Sequence, residues 1–139
     1  MLLCDTGPIV AALNRADPAH EACAALLRKH ADELAAPTPV VTETALFLLA
    51  SYGESAHLRF LDTVASAEIE VVDLTPEDHR QVARLCSTYR DLPLDQVDAS
   101  VIVVADRLGE RRVATLDRRD FTVVRLADGG TLELLPELG

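Results

Sequence analysis

Short unbroken runs of apolar residues alternate along this chain with longer segments of helical apolar spacing. Met1-Leu2-Leu3-Cys4 and Val113-Ala114-Thr115-Leu116 show no alternation of apolar and polar positions, which is typical of strands buried on both faces of a parallel sheet. Short strands are also predicted at Ala35-Ala36 and Glu70–Leu74. The spacing predicts a short helix after Pro8 and further helices over about residues 19–34, 38–51, 54–65 and 76–89.

The order of these elements predicts the fold class. Strands that alternate with helices predict an α/β protein, built as a three-layer α/β/α sandwich around a central, mostly parallel sheet. A length of 139 residues is enough for one well-buried core, and we expect one domain over residues 1–139.

The third and fifth helices have recognisable starts. Thr38 is expected to be an N-cap with Pro39 at the first helical position, and Thr75-Pro76 should begin the later helix in the same way. The apolar positions expected to be buried on the third helix are Val40, Val41, Leu46, Leu48 and Leu49.

The last third of the chain is less regular. The β-branched residues of 101–104 favour a strand, whereas an aspartate start at Asp95 or Asp98 and the stop signal at Gly109 favour a helix over 97–108, which we predict. A strand at Arg112–Leu116 should follow. Finally, Asp128-Gly129-Gly130 lies between two apolar segments, 122–126 and 131–135, and predicts a β-hairpin.

The amino-acid composition indicates the class of protein and the compartment expected for it. Hydrophobic residues make up 49% of the chain and charged residues 26%, as in globular proteins. There is no run of 18 apolar residues and no leader pattern, so we expect no membrane insertion and a cytoplasmic protein. Three widely spaced cysteines, Cys4, Cys23 and Cys86, are expected to be buried thiols in a reducing compartment.

The net charge of −10 argues against a generic nucleic-acid binder, which should be basic. However, the bases after position 105 are all arginines, whose forked guanidinium matches phosphate geometry. Candidate phosphate contacts are Arg112, Arg118 and Arg119, although each could equally be a solvated surface residue.

Four acidic residues lie at the ends of apolar segments. Asp5 and Asp117 each end a predicted strand, and Glu43 and Asp98 lie on predicted helices. In open α/β sheets ligands bind outside the carboxyl ends of the strands. Carboxylates gathered there would repel one another unless protonated or neutralised by a cation. Oxygen ligands suit a hard ion such as Mg²⁺ or Mn²⁺, so the pattern predicts metal-dependent chemistry on phosphate.

Each acid also has a structural explanation. Asp5 could be a helix N-cap, Asp117 a turn residue, and Asp95 and Asp98 could both favour the positive end of one helix. For Glu43, a capping box would need Glu or Gln at position 41, which is valine. Its spacing from Val40 and Phe47 places Glu43 on the helix face expected to look inward. The joint placement of the four acids favours a common site.

The chain resembles the PIN domain family, and within that family the VapC-like toxins of bacterial toxin–antitoxin pairs. The resemblance covers nearly the whole chain. The motifs that carry it are, in order, Leu3-Cys4-Asp5-Thr6-Gly7-Pro8-Ile9-Val10, Pro37-Thr38-Pro39-Val40-Val41-Thr42-Glu43, Leu92-Pro93-Leu94-Asp95-Gln96-Val97-Asp98-Ala99-Ser100 and Ala114-Thr115-Leu116-Asp117-Arg118-Arg119-Asp120-Phe121.

The resemblance implies a Rossmann-like sandwich, usually dimeric, and a Mg²⁺- or Mn²⁺-dependent endoribonuclease that a small VapB-like antitoxin neutralises. It places the metal site and catalysis at Asp5, Glu43, Asp98 and Asp117, with Thr6 as a hydroxyl beside the first acid and Asp95 in a supporting role. Many relatives carry histidine at the position of Asp120, which leaves open whether Asp120 is a fifth acid of the site or a surface turn residue.

Other functions remain to be weighed. A haloacid-dehalogenase-like phosphatase needs a second aspartate at position 7, which is glycine, and a receiver domain needs a lysine at a strand end, whereas the only lysine is Lys29 on a predicted helix. A PIN-fold RNA-processing nuclease that is not a toxin, and a non-catalytic PIN interaction module, both remain as alternatives. The histidines show no paired spacing typical of metal ligands.

Overall fold

The computed structural model describes residues 1–137, so the last two residues of the predicted domain lie outside the described part. Five strands and seven helices are formed within it. In chain order they are β1 (Leu2–Cys4), α1 (Thr6–Leu13), α2 (His20–Lys29), β2 (Leu34–Pro37), α3 (Thr38–Tyr52), α4 (Glu54–Ala65), β3 (Glu70–Val72), α5 (Pro76–Thr88), α6 (Gln96–Leu108), β4 (Arg112–Ala114), α7 (Arg118–Val123) and β5 (Glu133–Leu135).

The strands form one all-parallel sheet in the order β3-β2-β1-β4-β5. All three residues of β1 are fully buried, because helices cover both faces of the sheet. This confirms the predicted α/β sandwich and explains why the strand sequences do not alternate.

The sheet has a topological switch point between β1 and β4. From β1 the chain winds outward through β2 to β3, then crosses back to β4 and winds the other way to β5. Neighbouring connections therefore diverge at the carboxyl ends of β1 and β4, which opens a crevice there. Asp5 directly follows β1, and Asp117 lies three residues after the end of β4.

The ambiguous segment after Asp95 is a helix, as predicted. Asp95 is its N-cap and accepts a hydrogen bond from the Asp98 backbone N–H, while Gly109 ends it in the left-handed conformation with φ of 67°. Residues 99–105 are buried continuously. The β-branched run is therefore tolerated in a helix because this helix crosses the core with most of its surface covered.

The predicted hairpin near the C-terminus is wrong. Residues 118–123 form α7, and β5 pairs parallel to β4 with Val113 opposite Leu134. The Asp128-Gly129-Gly130 turn does form, with Leu126 N–H donating to the Gly130 carbonyl, but it connects a loop to β5. Tertiary pairing with the buried strand β4 outweighs the local turn signal.

The start of α3 also differs from the prediction. Pro37 occupies the N-cap position, and the Thr38 hydroxyl instead donates to the Val72 carbonyl and to Asp73, tying the helix to the end of β3. Leu46 and Leu49, expected in the core, are 59% and 43% exposed. In contrast, Thr75 forms the expected cap, in a capping box with Asp78.

The three cysteines are free, with Cys4 and Cys23 buried and Cys86 half-buried. Within residues 1–137, no helix is both long and apolar enough to cross a membrane.

Candidate active site

The carboxyl end of the sheet carries an open cleft of about 670 Å³ lined by acidic side chains. Asp5 enters it from the end of β1, Glu43 from α3, Asp98 from the first turn of α6 and Asp117 from the loop after β4. The fold thus brings to one cleft the four acids that are far apart in the sequence. Thr6 and Asp95 line the same cleft.

Asp5 is the most tightly held of these acids. Its carboxylate is only 6% exposed and accepts hydrogen bonds from the Thr6 backbone N–H at 2.9 Å and from the Thr115 hydroxyl at 3.0 Å. Burial raises the pKa of Asp5 to about 6, the two hydrogen bonds oppose this rise, and the charges of Glu43 and Asp117 add to it.

Thr115 was not among the residues singled out from the sequence. It is fully buried, and its hydroxyl donates to Asp5 while accepting a hydrogen bond from the Asp117 backbone N–H at 3.0 Å. One side chain therefore fixes both the first acid and the backbone that carries the last one. The available signal was its position two residues before Asp117, at the end of a buried strand.

Asp98 lies half-buried at the start of α6. Burial, followed by the charges of Asp5, Asp95 and other neighbouring acids, raises the pKa of Asp98 to about 8. Asp95 lies next to it as the N-cap of the helix, so its role within the described contacts is to position the first turn.

Three carboxylates form the tightest group in the cleft. Asp98, Asp117 and Asp120 each offer an oxygen, and these oxygens all lie within 4.8 Å of one another. Burial first and the neighbouring Asp120 charge second raise the pKa of Asp117. Such a group of hard oxygen donors suits a cation such as Mg²⁺ or Mn²⁺.

Asp120 is therefore a buried neighbour of two acids that line this cleft, Asp98 and Asp117, rather than a residue of a surface turn. It lies in α7 and is only 6% exposed, and its Oδ1 atom is buried without a hydrogen-bond partner. Asp5 and Glu43 are outside the tight group, although they line the same cleft. The expectation that Asp5, Glu43, Asp98 and Asp117 gather around one ion stays a prediction, and Asp98 and Asp117 are the two of these acids that belong to the close group.

Glu43 occupies a different environment from the one expected. The helix face that carries it looks into the open cleft and not into the core, so Glu43 is exposed together with Phe47. Its charge still reaches Asp5, where it contributes to the raised pKa.

The three candidate arginines lie in different places. Arg112 lies at the amino end of β4, opposite the cleft, and binds the Met1 carbonyl and Glu33, so the structure does not place it at the site. Arg118 donates to the carbonyls of Leu134 and Pro136, next to β5. Arg119 is 81% exposed, with its Nε atom 3.7 Å from Asp120 Oδ1, and is the one of the three whose solvent-facing side chain borders the acids.

The chain is similar to a known protein family and to a curated ribonuclease. The family described as PIN domain matches residues 2–126. Ribonuclease VapC26 from Mycobacterium tuberculosis (strain ATCC 25618 / H37Rv) is 30% identical over 135 residues, covering 97% of this chain and 100% of that protein.

Two solved structures share the fold. VapC20 from Mycobacterium tuberculosis, described as a sarcin-ricin loop cleaving toxin, superimposes with a TM-score of 0.75 at 19% identity, covering 81% of this chain and 87% of that one. VapBC2 from Rickettsia felis, solved bound to a DNA fragment from their promoter, gives a TM-score of 0.71 at 16% identity. The match covers 97% of this chain and 98% of that one.

The raised pKa values predict how stability depends on pH. The pKa values of Asp5 and Asp98, about 6 and about 8, exceed the values near 4 expected in the unfolded chain. The folded protein thus binds more protons than the unfolded chain over this range, and its free energy of unfolding should fall as pH rises from about 4 to 8. Thermal unfolding in EDTA at pH 6 and pH 8 measures this, and Asp98→Asn should flatten the difference. An equal pH dependence in the variant would contradict the assignment.

The position of Thr115 predicts the effect of removing its hydroxyl. Thr115→Val keeps the shape of the side chain but leaves Asp5 and the Asp117 N–H without their shared partner. We expect divalent-cation affinity to fall about 10–100-fold and stability to fall by about 1–3 kcal/mol. Calorimetric titration with Mn²⁺ and thermal unfolding measure the two effects. Thr63→Val, which removes a hydroxyl bonded to the Arg59 carbonyl far from the cleft, is the matched control and should leave cation affinity unchanged.

Proposed function

The chain belongs to the PIN domain family, and on that basis we propose that it is a Mg²⁺-dependent endoribonuclease, a VapC-like toxin that hydrolyses RNA phosphodiester bonds and is neutralised by a cognate antitoxin. The observation that carries the proposal is the convergence of acidic side chains from β1, α3, α6 and the β4–α7 segment on one cleft at the switch point of the sheet. Asp5, Glu43, Asp98 and Asp117 are its proposed catalytic and metal-site residues.

The residues of the cleft fit a hard divalent cation. Every candidate donor is a carboxylate oxygen, and the buried Oδ1 of Asp120 has no hydrogen-bond partner. When bound there, Mg²⁺ or Mn²⁺ would lower the pKa of a coordinated water and offset the negative charge of the phosphate. Burial first and neighbouring acidic charge second raise the pKa values of Asp5 and Asp98, and a bound cation would offset this cost.

The protein's own groups perform the positioning. Thr6 and Thr115 hold the Asp5 carboxylate in one orientation, and the Asp95 cap fixes the first turn that carries Asp98. In the proposed reaction, water attacks the phosphorus in line, the bond to the 3′ oxygen breaks, and the products carry a 5′-phosphate and a 3′-hydroxyl. The carboxylates act as ligands and proton acceptors and form no covalent intermediate.

RNA must approach this site despite the net charge of −10. Arg119 stands at the edge of the acidic group, and its exposed guanidinium is free to turn toward a phosphate oxygen. Arg118 would support the same segment indirectly by holding it to β5. The names of two similar proteins, a ribonuclease and a sarcin-ricin loop cleaving toxin, support RNA as the substrate class.

The surface around the cleft supports an antitoxin partner. A groove of about 950 Å³ adjoins the acidic cleft and shares Glu43 and Phe47 with it, and its walls include Leu46, Leu74 and Val97. An extended segment with apolar side chains and one arginine would fill the groove and pair its guanidinium with the carboxylates. The similarity to a VapBC assembly supports this partner class. The expected homodimer stays a prediction, with exposed leucines on α3 and α4 as candidate contacts.

Two alternatives predict different outcomes. A non-catalytic interaction module would bind partners without cutting RNA, and a housekeeping RNA-processing nuclease would cut RNA without harming the cell. Growth arrest on expression, relieved by co-expression of a small protein encoded beside it, would separate a toxin from the second alternative.

Cleavage of RNA tests the activity directly. We expect the purified chain to cut total RNA with Mg²⁺ or Mn²⁺ but not in EDTA, leaving 5′-phosphate ends that can be ligated and mapped. Asp98→Asn should lower the rate at least about 100-fold while leaving the cation-free fold as stable or more stable, because it removes a charge from the repelling group. Asp32→Asn, at the opposite end of the sheet, is the matched control. Cleavage in EDTA, or an active Asp98→Asn variant, would contradict the proposal.

If an antitoxin side chain occupies the cation site itself, the antitoxin and the cation should compete for the protein. If an arginine of the antitoxin pairs with the carboxylates that bind Mg²⁺, antitoxin affinity should weaken as Mg²⁺ rises from trace to saturating levels. Asp98→Asn should weaken antitoxin binding and reduce its dependence on Mg²⁺. An affinity that is constant across the Mg²⁺ titration would instead mean that the antitoxin blocks access of RNA elsewhere.

A further inference from the structure

One acidic residue beside the cleft has surroundings that the four proposed site acids do not explain. Asp120 is the second of two acids in the Asp117–Asp120 segment, and it lies in the first turn of α7 with its side chain 8% exposed. Its Oδ1 atom is fully buried and accepts no hydrogen bond. A buried carboxylate without a donor is costly, so such an oxygen calls for a cation.

The surrounding groups do not supply one. Arg119 is the nearest cationic side chain in the ion pairs of the described chain, but its Nε atom is 3.7 Å from Asp120 Oδ1, beyond hydrogen-bond distance, and its side chain is 81% exposed. Solvent screens the exposed guanidinium, which weakens its attraction for the carboxylate. Arg119 therefore does not offset the burial of Asp120.

The Asp120 carboxylate that carries this unpartnered oxygen lies beside two further carboxylates. Asp98, Asp117 and Asp120 bring one oxygen each to within 4.8 Å of the others, a spacing that one shared ion with ligand bonds of about 2.0–2.6 Å spans. Asp5 already has two hydrogen-bond donors, from Thr6 and Thr115, and Glu43 is exposed on α3. By both distance and unmet bonding capacity, Asp120 is better placed than Glu43 to bind the ion directly.

We infer that Asp120 is a direct ligand of the divalent cation, adding to the four proposed site acids a fifth carboxylate that lies within 4.8 Å of Asp98 and Asp117. The inference rests on the proposed function for the identity of the ion. It assigns to α7 a part in the metal centre, since Asp117 and Asp120 enter the site from the two ends of a single short turn.

Binding of Mn²⁺ alone, measured by calorimetric titration of metal-free protein, tests the inference without any RNA. Asp120→Asn should lower Mn²⁺ affinity about 10-fold or more and should reduce the rise in unfolding temperature that Mn²⁺ produces. Glu43→Gln should lower the affinity less, and Asp32→Asn, an exposed acid at the other end of the sheet, should not change it. Mn²⁺ affinity in a folded Asp120→Asn variant equal to that of the unaltered chain would overturn the inference, as would a larger loss in Glu43→Gln.

A second measurement does not depend on how the variant folds. Anomalous diffraction from crystals of the unaltered chain soaked in Mn²⁺ should place the ion within about 2.5 Å of an Asp120 oxygen. An ion bound by Asp5 and Glu43 with Asp120 out of reach would overturn the inference.

The two proposals can fail separately. If the chain binds Mn²⁺ through Asp120 but cuts no RNA, the ribonuclease proposal fails and the ligand assignment stands. If the chain cuts RNA with Mn²⁺ and Asp120→Asn binds the ion unchanged, the ligand assignment fails and the ribonuclease proposal stands. A chain that binds no Mn²⁺ contradicts both.

Discussion

Repulsion among carboxylates that share one cleft is the constraint on which the site depends. Asp5 is buried at the end of β1, and Asp98, Asp117 and Asp120 approach one another closely from α6 and the segment after β4. Folding alone would not favour this arrangement, since burial and neighbouring charge raise the pKa values of Asp5 and Asp98 to about 6 and about 8. The rest of the molecule must therefore hold these groups in place against their mutual repulsion.

The scaffold does so through rigid elements. The fully buried strand β1 carries Asp5, and the long buried helix α6 carries Asp98 one turn after its Asp95 cap. Thr115 links the ends of β1 and β4 by bonding to Asp5 and to the Asp117 backbone. Asp5 and Asp98 are thus held by buried elements of the fold, which keeps their carboxylates in position for a bound cation.

The two ends of the sheet carry different polar residues. Arg112 donates a hydrogen bond to Glu33 at the amino end of the sheet, whereas Arg119 borders the acids at the carboxyl end. The exposed apolar side chains of α3 lie beside the same cleft. Phe47 and Leu46 line the groove that adjoins the acidic cleft. The carboxyl end of the sheet presents acidic charge, apolar surface and an accessible cleft together.

The sequence determined the class of fold and indicated most of the acids that line the cleft. Unbroken apolar runs predicted the parallel strands, caps at Thr75 and Asp95 predicted helix starts, and acids at strand ends predicted a cleft at the carboxyl edge. These succeed because each depends on residues adjacent in the chain. Tertiary structure alone decided the pairing of β5 with β4 instead of a hairpin, the exposure of Leu46 and Glu43, the position of Arg112 at the far end of the sheet, and the bonds of Thr115 and Asp120. Each of these depends on which surfaces meet across distant segments, and burial and charge at such contacts cannot be read from local spacing.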